Sequence, residues 1–266
     1  MVYEFLYPLH TMFSSFNVFR YITFRTIFAS ITALLICLVM GRWLICKLQD
    51  LQIDQQIRED GPQTHQVKKG TPTMGGILII FAVVISTILW ANLSVYYIWL
   101  ALLVTVGFGL IGFIDDYSKL AGKSSRGLSG KKRLAAEIAI ALFVGLILYF
   151  KPGFNTQITI PFIKTVLPNI GWGYVVLTVF IIVGAANAVN LTDGLDGLAT
   201  GPAAICFATY LFFAYFAGNI KVAQYLQIPY VPGVGELSVF CGALLGAAIG
   251  FLWFNAYPAE IFMGDV

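Results

Sequence analysis

Along the chain, charged residues fall into short clusters separated by long stretches that carry almost none. A helix rising ~1.5 Å per residue needs about 20 residues to cross ~30 Å of hydrocarbon. Seven stretches approach that length: Thr26–Cys46, Met74–Leu93, Tyr96–Ile114, Leu134–Phe150, Trp172–Leu191, Pro202–Gly218 and Leu237–Tyr257. Arg42 lies near one end of the first and Glu137 one turn into the fourth. The pattern predicts an all-α polytopic membrane protein, with residues 1–266 as a single transmembrane domain. Between the fourth and fifth stretches, Thr156–Lys164 alternates β-branched and polar residues around Pro161, which predicts a short external β-hairpin. The last stretch reads Gly242-x-x-x-Gly246-x-x-x-Gly250, a stripe of small residues that lets a neighbouring helix approach closely.

Composition agrees with a lipid solvent. Of the 266 residues, 59% are apolar and 11% charged, against roughly 25% charged in soluble domains, and the mean hydropathy is +0.83. A water-soluble fold is excluded. The net charge of +3 is not arranged as a basic stripe with interleaved aromatics, so nucleic acid is not an expected partner. A cleavable signal peptide fits poorly, because no basic region precedes the first long apolar run and no small-residue cleavage site follows it. Cys37, Cys46, Cys206 and Cys241 have neither metal-ligand spacing nor a nearby His, and read as small apolar packers.

If the helices alternate, the loops after the first, third, fifth and seventh share one side. That side carries eleven of the 16 Lys and Arg: Arg42, Lys47, Arg58, Lys68, Lys69, Lys119, Lys123, Arg126, Lys131, Lys132 and Arg133. The other holds Arg20, Arg25, Lys151, Lys164 and Lys221. The positive-inside rule makes the first side cytoplasmic and the N-terminus external. Ten of the 13 carboxylates gather on the cytoplasmic side as well; Glu4 and Glu236 are external, and Glu137 lies within a helix. Acidic residues contribute little to topology, so this clustering points to chemistry at the cytoplasmic face.

The chemistry-bearing motifs lie there. Asp115-Asp116 ends the third stretch, where the helix macrodipole already disfavours anions, so a bound cation or the nearby Lys119, Lys123 and Lys131 must offset the charge. Asn190-Leu-Thr-Asp193-Gly-Leu195-Asp196-Gly-Leu198 places two carboxylates and two glycines after the fifth stretch, suited to holding the polar atoms of a nucleotide. Phe262-Met-Gly264-Asp265 adds a third acidic point. Three Asp clusters beside a basic loop resemble an oxygen-ligand site for magnesium, which binds through one or two carboxylates plus substrate phosphates. Lys68-Lys69-Gly70-Thr71-Pro72-Thr73-Met74-Gly75-Gly76 suits phosphate recognition. Gly107-x-Gly109-x-x-Gly112 matches a dinucleotide fingerprint by letter, yet it lies inside an uncharged spanning stretch and reads as helix packing. His10 and His65 read as loop or interface residues.

Together, KKGTPTMGG, IGFIDDYSK, NAVNLTDGLDGLA and FMGD resemble the phospho-N-acetylmuramoyl-pentapeptide transferase family, in order and spacing, over nearly the whole chain. The resemblance implies an enzyme of the bacterial inner membrane that passes phospho-N-acetylmuramoyl-pentapeptide from its UDP carrier to undecaprenyl phosphate. UMP is released, Mg2+ is required, and a homodimer is left open. It implies that Asp265 is the magnesium ligand and that Asp115 and Asp116 act on the lipid phosphate. It further implies that Asn190, Asp193 and Asp196 lie on the nucleotide side with Leu195, Asn255 and Phe262 near the uracil. Lys68, Thr73, Lys119, Lys123 and Lys131 would handle phosphates. Family members continue past this point into further helices and a three-histidine motif, about ten helices in all. The chain therefore reads as a C-terminally truncated form, expected to be inactive on its own. Two other readings fit less well. A sister transferase moving N-acetylglucosamine phosphate onto the same lipid would not carry the NLTDGLDG wording, and a transporter would place its charges at mid-bilayer and show repeated halves.

Overall fold

A computed structural model describes residues 1–51, 71–121, 127–160, 167–193 and 195–266. Among them the helices are α1 (Val2–Leu6), α2 (Ile22–Asp50), α3 (Gly76–Trp90), α4 (Tyr96–Ala121), α5 (Gly130–Phe150), α6 (Gly173–Thr192), α7 (Thr200–Gly218), α8 (Ile220–Leu226) and α9 (Leu237–Asn255), with short 3-10 turns over Tyr7–Thr11, Ser14–Arg20 and Val234–Glu236. Six of the described helices are long and apolar enough to cross a membrane. Their outward faces carry bare apolar side chains such as Val39, Phe180, Ile205 and Trp253, as a lipid-facing surface requires. Cys46 and Cys206 share this exposure, whereas Cys37 is packed inside as expected.

The second expected span, Met74–Leu93, is the one not among these six, and its helix is shorter than its apolar run. Only the 15 residues of α3 are helical. At one end Met74 adopts φ 73°, and the N–H groups of Gly75 and Gly76 donate to the carbonyls of Phe262 and Met263 (2.9 Å each) rather than extending the helix. At the other, Ala91 turns extended, and Asn92 takes the Ser94 N–H on its side chain at 3.1 Å. The expected hairpin amounts, among the described residues, to one antiparallel bridge between Gln157 and Asn169, with no strand; residues 161–166 lie outside the description.

The core is the α2–α9 seam. A Cβ on Gly242 would fall 2.8 Å from Thr26 Cγ2, one on Gly250 would fall 2.7 Å from Cys37 Cβ, and one on Gly246 would overlap the Ser30 carbonyl. The small-residue stripe thus lets two backbones touch, and Ser30 Oγ crosses the seam to the Gly242 carbonyl at 2.6 Å. At one end of the seam Arg25, 2% exposed, makes a two-pronged ion pair with Glu236 at 2.6 Å per prong. Arg25 also donates to the Trp90 carbonyl at 3.3 Å, tying α2, α3 and the start of α9 together. The same end holds α1, whose Met1 amine donates to the Ile88 carbonyl at 2.8 Å, and His10, which stacks on Tyr7. The acidic motifs are at the opposite end.

The glycines of Gly107-x-Gly109-x-x-Gly112 serve helix packing. Gly107 and Gly109 face Ile140 and Ile80, and Gly112 lies against the backbone of Asp265 and Val266. A side chain at Gly112 would push the segment that carries Asp265 away from α4.

Candidate active site

Three elements bring the acids together. The last turns of α4 present Asp115 and Asp116, 4% and 5% exposed. The segment after α9 returns beneath them, fixed by backbone pairing to Pro72–Gly76. Gly264, at φ 80°, turns that segment so that the Asp265 N–H donates to Asp116 Oδ2 at 2.9 Å. A Cβ at Gly264 would meet Asp116 Oδ2 at 2.6 Å and Thr73 Oγ1 at 2.9 Å, which also places Thr73 at the rim. One oxygen from each of Asp115, Asp116 and Asp265 lies within 4.8 Å of the others.

Such crowding needs positive charge. The Lys119 ammonium sits among all three, 2.6 Å from Asp115 Oδ2, 3.4 Å from Asp116 Oδ1 and in close contact with Asp265 Oδ2. Arg133 on α5 reaches Asp265 Oδ1 at 3.4 Å, and Asn190 on α6 donates to the same oxygen at 2.5 Å. Asp115 Oδ1 accepts the Leu128 N–H at 2.7 Å. Burial alone would raise the pKa of Asp265, but the Lys119 ammonium and the Asn190 amide that donate to its oxygens hold it well below the ordinary carboxylate range. Asp193, just past α6, is shifted upward by burial and then by the charges of Asp265 and Asp196. An all-oxygen set of three carboxylates at this spacing, already bridged by a lysine cation, fits a hard divalent ion.

The structure sorts the expected site residues. Asp115, Asp116, Asp265, Lys119 and Asn190 form one connected cluster, with Thr73 beside it and Asp193 within electrostatic reach. Asp196 accepts the Ala259 N–H at 3.3 Å, joining the loop after α6 to the segment after α9. Leu195 is exposed and Phe262 half-buried. Asn255 is 1% exposed. Its Oδ1 accepts from Gly197 N–H (3.2 Å) and Thr200 Oγ1 (2.9 Å), while its Nδ2 donates to the Ile261 carbonyl (3.0 Å). Asn255 thus shapes the loop from inside. Lys131 is exposed on the first turn of α5. Lys68 and Lys123 lie outside the described residues. Sequence reasoning missed Arg133. The available signal was its i,i+4 spacing to the intramembrane Glu137, a charge that demands a partner.

Comparison with known proteins places the chain in a family. Residues 98–266 match the Glycosyl transferase family 4 model, and residues 68–80 match the phospho-N-acetylmuramoyl-pentapeptide-transferase signature 1. The chain is 70% identical over 265 residues to the phospho-N-acetylmuramoyl-pentapeptide-transferase of Syntrophus aciditrophicus. It is 59% identical to that of Desulfotalea psychrophila and 54% identical to that of Citrifermentans bemidjiense, each over 266 residues. Each alignment takes in 100% of this chain and 74% of the relative. With its helices, its acidic cluster and these relatives in agreement, the chain belongs to the phospho-N-acetylmuramoyl-pentapeptide-transferase family, a family of multi-pass membrane transferases that make a peptidoglycan precursor.

Proposed function

We propose that the protein serves the transfer of phospho-N-acetylmuramoyl-pentapeptide from UDP to undecaprenyl phosphate, giving the first lipid-linked peptidoglycan precursor and UMP. The reaction takes place at the cytoplasmic face of the bacterial inner membrane, with the N-terminus outside. The observation that carries this reading is the meeting of Asp115, Asp116 and Asp265 within 4.8 Å at one end of a helical membrane fold. There a water-borne diphosphate and a lipid phosphate can reach the same residues.

In this reading an oxygen of the lipid phosphate attacks the sugar-bearing phosphorus of the donor, and the bond from that phosphorus to the UMP oxygen breaks. Asp115, Asp116 and Asp265 would hold magnesium, which supplies neutralisation of the diphosphate charge. Asp115 and Asp116 also orient the lipid phosphate and accept its proton. Lys119 and Arg133, which neutralise the carboxylates in the structure, turn to the phosphates. Asn190, Asp193 and Asp196 face the nucleotide, and the Asn255-anchored loop with Leu195 and Phe262 frames the base. Positioning and charge compensation provide most of the rate.

Donor binding tests the proposal without requiring a full turnover. Calorimetry on the detergent-solubilised protein should show Mg2+-dependent binding of UDP-N-acetylmuramoyl-pentapeptide, with UDP-N-acetylglucosamine much weaker. Equal binding of the two sugars, or binding indifferent to EDTA, would overturn it.

A further inference from the structure

Glu137 is 2% exposed and lies within the membrane-spanning part of α5, where a carboxylate is retained only with partners. Each of its oxygens has one. Oε1 accepts from Arg133 Nε at 3.1 Å, one turn earlier on α5. Oε2 accepts from Asn187 Nδ2 at 2.6 Å, across on α6.

Both partners lead to the same atom. Arg133 is a fork, and while its Nε is held by Glu137 its Nη1 points at Asp265 Oδ1, 3.4 Å away. Asn187 precedes Asn190 by three residues, so the two share a face of α6. With Asn187 fixed to α5, Asn190 is placed to donate to that same Oδ1 at 2.5 Å. Oδ1 of Asp265 is thereby pinned from two helices, and Oδ2 is the oxygen turned toward Lys119. Carboxylate ligands of metal sites are oriented in this way by partners behind them, and loss of such a partner typically costs 10–100-fold in metal affinity.

We infer that Glu137 is a positioning residue of the acidic site: by fixing Arg133 and the α5–α6 register, it presents Asp265 Oδ2 to a divalent cation held with Asp115 and Asp116. The inference rests on the metal reading of the proposed function. It assigns Arg133 a double duty, holding Asp265 before the donor arrives and facing the donor's diphosphate afterwards. Lysine is a poorer substitute, because its donors radiate from one atom, whereas Arg133 meets Glu137 and Asp265 through two separate nitrogens of a rigid fork.

The test is Mn2+ affinity of the purified full chain in detergent, measured by electron paramagnetic resonance without donor, alongside thermal melting. Glu137→Gln keeps the side-chain volume and should weaken Mn2+ binding about 10–100-fold while leaving melting near the wild type. Arg133→Lys, which keeps the charge on a more exposed side chain, should weaken it comparably; it carries the test if Glu137→Gln does not fold. Wild-type affinity in Arg133→Lys, or in Glu137→Gln, with binding lost in Asp265→Asn, would overturn the positioning role alone. Unchanged affinity in Asp265→Asn would overturn the metal reading beneath it.

Discussion

Lys119 is where the electrostatics of the site concentrate, since one ammonium is shared by carboxylates from two separate parts of the chain. It holds the ground that the proposed divalent cation would take, so Lys119→Met should raise Mn2+ affinity in the absence of donor and weaken donor binding. A loss of both in electron paramagnetic resonance and calorimetry would show that the ammonium assembles the carboxylates instead of competing for them. Asp193 gives a prediction of different kind. Its pKa in the folded protein is raised by burial and by the charges of Asp265 and Asp196, so ionising it works against folding. The penalty is absent below the unfolded-state value of about 3.9 and grows to its full size once pH passes the folded-state pKa. Asp193→Asn should therefore melt higher than the wild type at pH 7. The gap should close as pH falls to 4, and donor binding should be lost throughout. A melting difference independent of pH would contradict this cause.

Among the helices, the α2–α9 seam sets the tolerance of the fold. Gly246 faces the Ser30 backbone, which cannot swing aside as a side-chain tip would. Gly246→Ala should destabilise by about 1–3 kcal/mol in thermal or denaturant melting, the usual cost of overpacking a close contact. At the far end of the seam, removing one partner of the Arg25–Glu236 pair strands a buried charge. Glu236→Ala should cost about 3–5 kcal/mol. The element pattern was largely legible in the sequence because spacing alone identifies an apolar helix and a small-residue stripe. The exceptions have local causes. Helix α2 begins at Ile22 and takes in Arg25, since Glu236, 211 residues away, supplies the partner that makes a buried arginine tolerable. Helix α3 is clipped because Gly75 and Gly76 spend their N–H groups on the returning Phe262–Met263 segment. Long-range pairings of this kind leave no periodic trace.

For the whole molecule, the acidic motifs share one end and the Arg25–Glu236 pair and α1 share the other, as alternating spans require. That the Asp clusters gather at one face was legible from the charge pattern and the alternation of spans; side-chain spacing along the chain does not reveal that Gly112 leaves room for Asp265 or that Gly264 turns it toward α4. Arg133, Asn187 and Glu137 carried a readable signal at helical spacing, yet their link to Asp265 depends on how α5 meets α6. The proposed orientation has its own check. In intact cells, cysteine placed at Arg20 should react with an impermeant maleimide, and cysteine placed at Lys131 should react only after permeabilisation. The reverse pattern would put the acidic end outside.

The central claim is that one divalent cation held by Asp115, Asp116 and Asp265 meets the diphosphate of the donor. The Mg2+ dependence of UDP-N-acetylmuramoyl-pentapeptide affinity, measured by calorimetry in the wild type and in Asp265→Asn, reads that meeting directly. Mg2+ should strengthen donor binding strongly in the wild type and little in Asp265→Asn. Equal strengthening in the two proteins would mean that the ion travels with the nucleotide and that the carboxylates do not hold it.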